Sequence, residues 1–214
     1  MENNLSSYRK SYDKSELNEQ DIPKSPFDLF SLWFKEVESA GGVEEVNAMT
    51  VSTIGTDGFP KSRVVLLKEY SNEGFVFYTN YNSEKGKAIA QNPNVCVSFF
   101  WPNLERQVII KGTAEQLSVK KSEDYFNVRP RGSKIGAWVS PQSTKINSRD
   151  VLESNVDKYT QEFEGEDVPK PPHWGGYEVK PISIEFWQGR ANRLHDRILF
   201  ERVNESWASS RLAP

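Results

Sequence analysis

The stretch AMTVSTIGTDGFPKSRVVLLK, residues 48–68, holds two runs of apolar and β-branched residues on either side of a turn. The runs cover residues 48–54 and 62–68, and Thr56-Asp57-Gly58 between them is typical of a turn. Two strands joined by a short connection pair antiparallel. This stretch therefore predicts the first hairpin of an antiparallel sheet.

Similar runs continue along the chain. Further strands are predicted at residues 75–79, 95–101 and 107–117, and a last hairpin at 177–187 and 193–203. Helical spacing and capping residues predict helices at 26–40, 83–91, 118–128 and 148–163. No G-x-G-x-x-G or Walker sequence is present, which disfavours a Rossmann fold. We expect a mainly β protein with flanking helices (α+β), whose antiparallel strands form a closed or nearly closed barrel.

Length and composition indicate one globular domain. The 214 residues are 36% hydrophobic and 12% aromatic, which is enough for one substantial core. Residues 1–24 are polar and mixed in charge, so we expect a flexible N-terminal arm followed by a single domain over residues 25–214. The net charge of −3 lacks the basic excess of a general nucleic-acid binder, so any anion site is local.

The reactive residue types limit the remaining classes. A single cysteine, Cys96, cannot form an intrachain disulfide and suits a reducing compartment. With two histidines and no paired cysteines, we expect no metal site. The sequence shows neither a secretory signal nor an apolar stretch long enough to cross a membrane. We therefore expect a soluble, cytoplasmic protein that binds neither membranes nor nucleic acid.

The segment from Trp187 to Arg197 concentrates ionisable side chains. In the predicted strand, Arg193, His195 and Arg197 have the same parity and would project from one face, about 7 Å from one neighbour to the next. Three basic groups at that spacing suit a charged, planar small molecule. The alternative is the polar face of an edge strand, with Asp196 and Glu201 as ion-pair partners.

Other basic groups stand where predicted elements begin or end. Arg63 and Lys68 flank one strand on opposite faces, and Lys85 lies at a helix start, where backbone N–H groups favour anions. Arg129-Pro130-Arg131-Gly132-Ser133 follows the helix that carries Tyr125 and forms a second candidate phosphate cradle. The alternatives are an ordinary capped surface helix and a basic loop.

Taken in order, these motifs resemble one family. The motifs are RVVLLK (63–68), FYTN (77–80), SEK (83–85), ERQV (105–108), YFNVRPRGSKIGAWVS (125–140), QS (142–143), EFWQG (185–189), RLHDR (193–197) and RLAP (211–214). From about Asp21 to Pro214 the chain resembles pyridoxamine/pyridoxine 5'-phosphate oxidase. The resemblance implies an FMN-dependent homodimer with a split β-barrel and the flavin at the subunit interface. It also implies oxidation of pyridoxamine or pyridoxine 5'-phosphate to pyridoxal 5'-phosphate, with O2 becoming H2O2 and the amine leaving as NH3.

The resemblance also implies roles for individual residues. The FMN-binding positions are Arg63, Val64, Val65, Leu66, Leu67, Lys68, Tyr78, Thr79, Lys85, Gln107, Gln142, Ser143, Trp187 and Arg197. The substrate positions are Lys68, Tyr125, Arg129 and Ser133 around the phosphate, with Arg193 and His195 over the reacting end as the catalytic pair and Arg9 and Tyr12 from the arm. Glu84 departs from the family, where many members carry a basic residue, and we expect it to point away from the site.

Two other functions remain open at this stage. One is a split-barrel flavoprotein with another substrate range, and the residues Arg129, Ser133 and RLHDR speak against it. The other is a non-catalytic carrier of pyridoxal phosphate, which would use the same phosphate grip without turnover. For the oxidase, our hypothesis is that His195 orients the 4'-substituent or takes its proton, while Arg193 mainly positions the ring.

Overall fold

The computed structural model describes residues 3–214. The helices are α1 Pro26–Ala40, α2 Glu84–Gln91, α3 Val119–Asn127, α4 Arg131–Val139 and α5 Asp150–Glu162, with a short 3-10 turn at Ala191–Arg193. The strands are β1 Ala48–Ile54, β2 Pro60–Leu66, β3 Glu69–Tyr70, β4 Phe75–Asn80, β5 Asn94–Trp101, β6 Arg106–Gln116, β7 Trp174–Gln188, β8 Asp196–Val203 and β9 Ser206–Leu212. The described chain is therefore a mainly β protein with flanking helices, as predicted.

Local sequence explains where the helices begin. The hydroxyl of Ser25 accepts the N–H of Phe27, and Pro26 occupies the first position of α1, where a missing N–H costs nothing. Helix α1 ends before Gly41, whose φ of +65° is unfavourable for other residues. Ser83 caps α2 in the same way by accepting the N–H of Gly86. Both helices were predicted, α1 from its apolar spacing and Gly41-Gly42, and α2 from the helix start at Ser83 and the stop at Asn92-Pro93.

The strands pair antiparallel in one sheet, with the order β2-β1-β5-β6-β7-β4-β3 and with β8 pairing β7 and β9. Strand β7 is long enough to have two partners along its length. Phe77 pairs with Tyr177 where β7 meets β4, and Phe186 pairs with Ile198 where it meets β8. Because one face of the strands is buried, this alternating pattern sets the register. The predicted antiparallel sheet is confirmed.

The described chain divides into two compact units: residues 3–49, 97–111 and 181–214 form the first, and residues 50–96 and 112–180 form the second. In the first unit the fully buried ring of Phe30 packs against Phe99 and Trp101. In the second unit the buried ring of Phe77 stacks on Tyr177. The expectation of a flexible arm at 1–24 and a single domain at 25–214 stays a prediction.

Four elements were not predicted from the sequence: the two-residue strand β3, the 3-10 turn at Ala191–Arg193, helix α4 and strand β9. Helix α4 begins at Arg131, inside a segment that was interpreted as a loop after α3. Pro130 stands immediately before it, and the apolar side chains of Ile135 and Val139 are buried one turn apart. Strand β9 pairs with β8 near the C-terminus. It was missed because most of its side chains are exposed, which leaves little hydrophobic pattern.

None of the helices in the described part of the chain is long and apolar enough to cross a membrane.

Candidate active site

The second unit contains a cavity of about 440 Å³, a size typical of small-molecule sites. We call it the clamp pocket. The predicted site residues that line it are Val64, Val65, Leu66, Lys68, Tyr78, Thr79, Lys85, Tyr125, Arg129, Ser133 and Gln142. The described residues around it include three cationic side chains and no carboxylate. The clamp pocket therefore has the charge of an anion-binding site.

At the first turn of α2, the side chains of Lys85, Thr79 and Gln142 are joined by hydrogen bonds. The Lys85 ammonium donates to the hydroxyl of Thr79 at 3.0 Å and to the side-chain oxygen of Gln142 at 3.2 Å. An ammonium has three N–H donors, so one remains for a ligand. Burial lowers the pKa of Lys85, and the nearby Arg63 lowers it further. Because both effects disfavour the charged form, an anion bound here would stabilise it.

Arg129 has a buried donor without a partner. Its guanidinium lies 4.6 Å from the centre of the Trp174 ring, and its Nη1 is buried with no hydrogen bond. Burial lowers the pKa of Arg129. A buried charged donor left unsatisfied is costly unless a ligand completes it. This guanidinium fits a phosphate oxygen.

Three aromatic rings form one wall of the clamp pocket. Tyr78 stacks on Tyr125 with ring centres 4.0 Å apart and on Trp174 with ring centres 5.3 Å apart. Burial is the main reason why the pKa of Tyr78 rises to about 12, so its hydroxyl stays protonated at neutral pH. The pocket therefore combines cationic groups with flat apolar surface, as a phosphorylated aromatic ligand requires.

Helix α4 changes the interpretation of the predicted phosphate cradle. Ser133 lies in the first turn of α4 and lines the clamp pocket, where the positive end of the helix dipole favours an anion. Arg131 does not take part, because its guanidinium donates to the backbone oxygens of Phe163 and Glu166. The two arginines that flank Pro130 thus have different roles: Arg129 faces the pocket and Arg131 holds the chain after α5.

The first unit contains a second basic pocket, with a volume of about 870 Å³. We call it the arm pocket, because residues of the N-terminal arm form one side of it. Its lining residues are Tyr8, Arg9, Lys10, Ser11, Tyr12, Arg190, Asn192, Arg193 and His195. The predicted residues Arg9, Tyr12, Arg193 and His195 are thereby brought together, as side chains of one pocket.

The prediction that Arg193, His195 and Arg197 project from one face of a strand is wrong. Strand β8 begins only at Asp196, and the backbone before it turns, with φ values of +56° at Asn192 and +62° at Arg193. A left-handed conformation breaks the alternation on which the parity argument depended. Arg193 and His195 reach the arm pocket from this turn, and Arg197 does not line it.

A backbone hydrogen bond defines the protonation of His195. The N–H of Arg190 donates to His195 Nδ1 at 3.0 Å. A nitrogen that accepts a hydrogen bond carries no proton, so the neutral ring holds its proton on Nε2. Burial lowers the pKa of His195, and the positive charge of Arg193 lowers it further, against the opposing effect of Asp196. At neutral pH His195 is therefore a neutral Nε2–H donor.

The remaining predicted cofactor residues line neither pocket: they are Arg63, Leu67, Gln107, Ser143, Trp187 and Arg197. Arg63 donates to Thr53 and to the backbone oxygen of Val51. Gln107 donates to Ser98, and Arg197 pairs with Glu185 at 2.7 Å. Their contacts to a flavin stay predictions.

Trp187 and Glu84 lie beside the two pockets. The ring centre of Trp187 is 4.6 Å from that of His195, so Trp187 packs against a residue that lines the arm pocket. Glu84 does not line the clamp pocket, and its carboxylate pairs with the ammonium of Lys61 at 2.6 Å. Glu84 is paired and partly exposed, but its charge still raises the pKa of Lys85 against the effect of burial.

Sequence reasoning missed several residues of the pockets. Trp174 lies outside the strand predicted at 177–187, but it begins β7 and pairs with Asn80 of β4. Arg190 was not selected, although its backbone orients His195. The strand pairing of Trp174 joins residues distant in the sequence, and the contact of Arg190 with His195 depends on a turn conformation. A local sequence pattern shows neither of these. Residues 3–214 contain no cluster of three or more His, Cys, Asp or Glu side chains arranged to hold a metal ion.

Comparison with known families gives two matches that together cover most of the chain. Residues 9–163 match the family described as pyridoxamine 5'-phosphate oxidase. Residues 174–214 match the pyridoxine 5'-phosphate oxidase C-terminal dimerisation region.

Individual proteins were also found to be similar, one by sequence over nearly the whole chain and two by structure. The chain is 63% identical over 212 residues to a pyridoxine/pyridoxamine 5'-phosphate oxidase of Flavobacterium johnsoniae, with 99% of each chain covered. It resembles the structure of PhzG from Burkholderia lata in complex with tetrahydrophenazine-1-carboxylic acid, at 26% identity and a TM-score of 0.87, covering 96% of this chain and all of that one. It also shares the fold of an FMN-binding protein of Nostoc punctiforme related to pyridoxamine 5'-phosphate oxidase, at 14% identity and a TM-score of 0.70, covering 90% and 100%.

The hydrogen bond from Arg190 predicts how His195 titrates. We expect its imidazole to titrate below the ordinary pH of about 6.5 and to show the Nε2–H tautomer above it, as measured by ¹⁵N NMR of the ring. Because the pKa of His195 is lower in the folded chain than in the unfolded one, the free energy of unfolding falls as the pH drops from about 6.5 through the folded-state pKa. The chain has two histidines, so a His173→Asn variant assigns the signals. A Nδ1–H tautomer would contradict the assignment.

Proposed function

Because the chain belongs to the pyridoxine/pyridoxamine 5'-phosphate oxidase family, we propose that it oxidises pyridoxamine and pyridoxine 5'-phosphates to pyridoxal 5'-phosphate. The protein is a homodimer of the split-barrel fold class, since its C-terminal residues match the dimerisation region of that family. The proposal includes FMN as the cofactor at the subunit interface and O2 as the electron acceptor, with H2O2 as product and NH3 released from the amine. It places the activity in the cytoplasm.

The observation that carries the proposal is the unsatisfied charge in the clamp pocket. Arg129 Nη1 lacks a partner, one donor of Lys85 remains available, and Lys68 is exposed at the rim. A dianionic phosphate satisfies such donors better than a carboxylate or a neutral ligand does. The stack of Tyr78, Tyr125 and Trp174 adds a surface for a flat ring.

The residues of the clamp pocket also fit a flavin nucleotide. Lys85 and Gln142 form one hydrogen-bonded group with Thr79, and Val64 to Leu66 line the pocket from β2, an edge strand of the sheet. We assign these residues to FMN, and Lys68, Tyr125, Arg129 and Ser133 to the substrate phosphate. FMN, when bound, supplies the hydride acceptor that no side chain provides.

The arm pocket is assigned to the reacting end of the substrate, and we propose that the arm pocket and the clamp pocket of one site come from different protomers of the homodimer. Arg193 brings a planar cation that can cover the pyridine ring, and His195 offers the Nε2–H to the 4'-amine or 4'-hydroxyl. A neutral donor can orient this substituent, but it cannot remove a proton through Nε2 while that nitrogen is protonated. Of the two roles first considered for His195, the tautomer favours orientation.

One anaerobic experiment tests the function. Adding pyridoxamine 5'-phosphate to the yellow, flavin-loaded protein should bleach the flavin absorbance, and admitting air should restore it with formation of H2O2 and pyridoxal 5'-phosphate. A carrier would bind the phosphate without bleaching. A flavoprotein of another substrate range would bleach with a different reductant only. Either of these two results would refute the oxidase.

Arg129 provides the test of the phosphate site. Replacing Arg129 by Ala should raise the KM for pyridoxamine 5'-phosphate about 10- to 100-fold, because a hydrogen bond to a charged group contributes roughly 1.5 to 3 kcal/mol. Lys134→Ala is the matched control, since Lys134 is on α4 but does not line the clamp pocket. An equal KM in both variants would mean that the phosphate binds elsewhere.

Two substitutions of His195 separate orientation from proton transfer. The amide nitrogen of Gln can reach the position of Nε2, whereas that of Asn ends near the position of Nδ1. We expect His195→Gln to keep more turnover than His195→Asn, with flavin content equal in both, as measured by steady-state kinetics and absorbance. An equally severe loss of turnover in the two variants would instead assign proton transfer to His195, because neither amide titrates.

A further inference from the structure

We propose that Glu105 is a positioning residue that holds together the two segments lining the arm pocket. One segment is the N-terminal arm, and the other is the loop at residues 189–195 that carries Arg193 and His195. The proposal rests on the proposed function, which assigns the reacting end of the substrate to this pocket. Glu105 itself does not line the pocket and acts through these neighbours.

The carboxylate of Glu105 binds the arm. Its Oε2 accepts the backbone N–H groups of Asp13 at 3.0 Å and Lys14 at 3.2 Å. Its Oε1 lies 3.0 Å from the Lys10 ammonium, in an ion pair without hydrogen-bond alignment. Two backbone N–H donors and one ammonium therefore contact the same carboxylate. They belong to Lys10, Asp13 and Lys14, which lie on both sides of Tyr12 in the sequence.

The backbone of Glu105 binds the loop. Its carbonyl oxygen accepts the N–H of Gly189 at 2.8 Å, and the side-chain nitrogen of Gln188 at 3.3 Å. The φ of Glu105 is +58°, a left-handed conformation that is uncommon for a residue other than glycine. Side chain and carbonyl of a single residue thus bind different segments of the chain.

The two segments also contact each other. Tyr12 packs edge-on against Trp187 with ring centres 5.8 Å apart, and its ring centre lies 5.8 Å from that of His195. Gly189 permits this contact, because a Cβ atom there would lie 2.9 Å from the side chain of Tyr12. The position of the arm is therefore coupled to the position of the loop.

Burial makes this carboxylate a stronger anchor than a surface acid. Glu105 is 2% exposed. Burial alone disfavours its ionised form, but Lys10 and the N–H groups of Lys14 and Asp13 outweigh that effect and lower its pKa. Since hydrogen bonds to a buried charge are stronger than those to an exposed one, losing the charge should release the arm.

The experiment compares Glu105→Gln with wild type in the flavin-loaded dimer. Gln keeps the size but presents N–H groups where two backbone donors and an ammonium converge. We expect faster trypsin cleavage after Arg9, Lys10 and Lys14, and a KM for pyridoxamine 5'-phosphate raised roughly tenfold. The value of kcat at saturation and the Kd for FMN, measured by fluorescence, should stay within about twofold. Glu38→Gln, at an exposed position of α1, is the matched control.

A second variant tests the coupling between the arm and the loop without replacing a buried polar side chain. Gly189→Ala introduces a Cβ into the space of Tyr12, and its φ lies outside the left-handed region, so the backbone tolerates alanine. We expect the same combination of faster arm cleavage and raised KM. Unchanged cleavage and KM in both variants would overturn the proposal, as would a loss of kcat with unchanged KM. Trypsin cleavage does not depend on turnover, so it decides the role of Glu105 even if the oxidase assay fails.

Discussion

The cost of burying a positive charge without a partner is the constraint on which this structure depends. A buried guanidinium or ammonium is stable only when an anion or several acceptors surround it. In the clamp pocket Lys85 has two neutral acceptors and Arg129 has an unpaired donor, so the fold leaves cationic capacity for a ligand. The same constraint explains why Glu84 is tolerated, since it pairs with Lys61 away from the pocket lining.

In the first unit, two buried or half-buried carboxylates, Asp196 and Glu105, are paired with donors from distant segments of the chain. Asp196 accepts from Arg190, from Arg211 and from the backbone N–H of Leu17. This carboxylate connects the arm, the loop and β9, as Glu105 connects the arm and the loop. The paired carboxylates Asp196 and Glu105 therefore fix the position of segments around the arm pocket, whereas the unpaired donors of Arg129 and Lys85 are available for binding in the clamp pocket.

Much of the fold was predictable because its signals are local. Helix α1 spans Pro26–Ala40, as predicted from the helical spacing of its apolar residues and from Gly41-Gly42. Strand β1 spans Ala48–Ile54, as predicted from a run of apolar and β-branched residues that ends at a turn. Helix α4 and strand β9 were missed, since the first followed a loop-like basic sequence and the second has mostly exposed side chains. The residue types of the site were predictable from the resemblance, but their assignments to ligands stay predictions.

The sequence by itself determined the fold class, an antiparallel sheet with flanking helices. It also determined the set of cationic residues and the motifs through which the chain resembles its family. These properties depend on residue type and spacing, which a linear pattern records. Only the tertiary structure decided which residues meet. It placed Arg193 and His195 on a left-handed turn rather than on a strand, and it set the tautomer of His195 by one backbone N–H. The reason is that these contacts depend on the conformation of single residues and on partners distant in the sequence, such as Glu105 and Gly189.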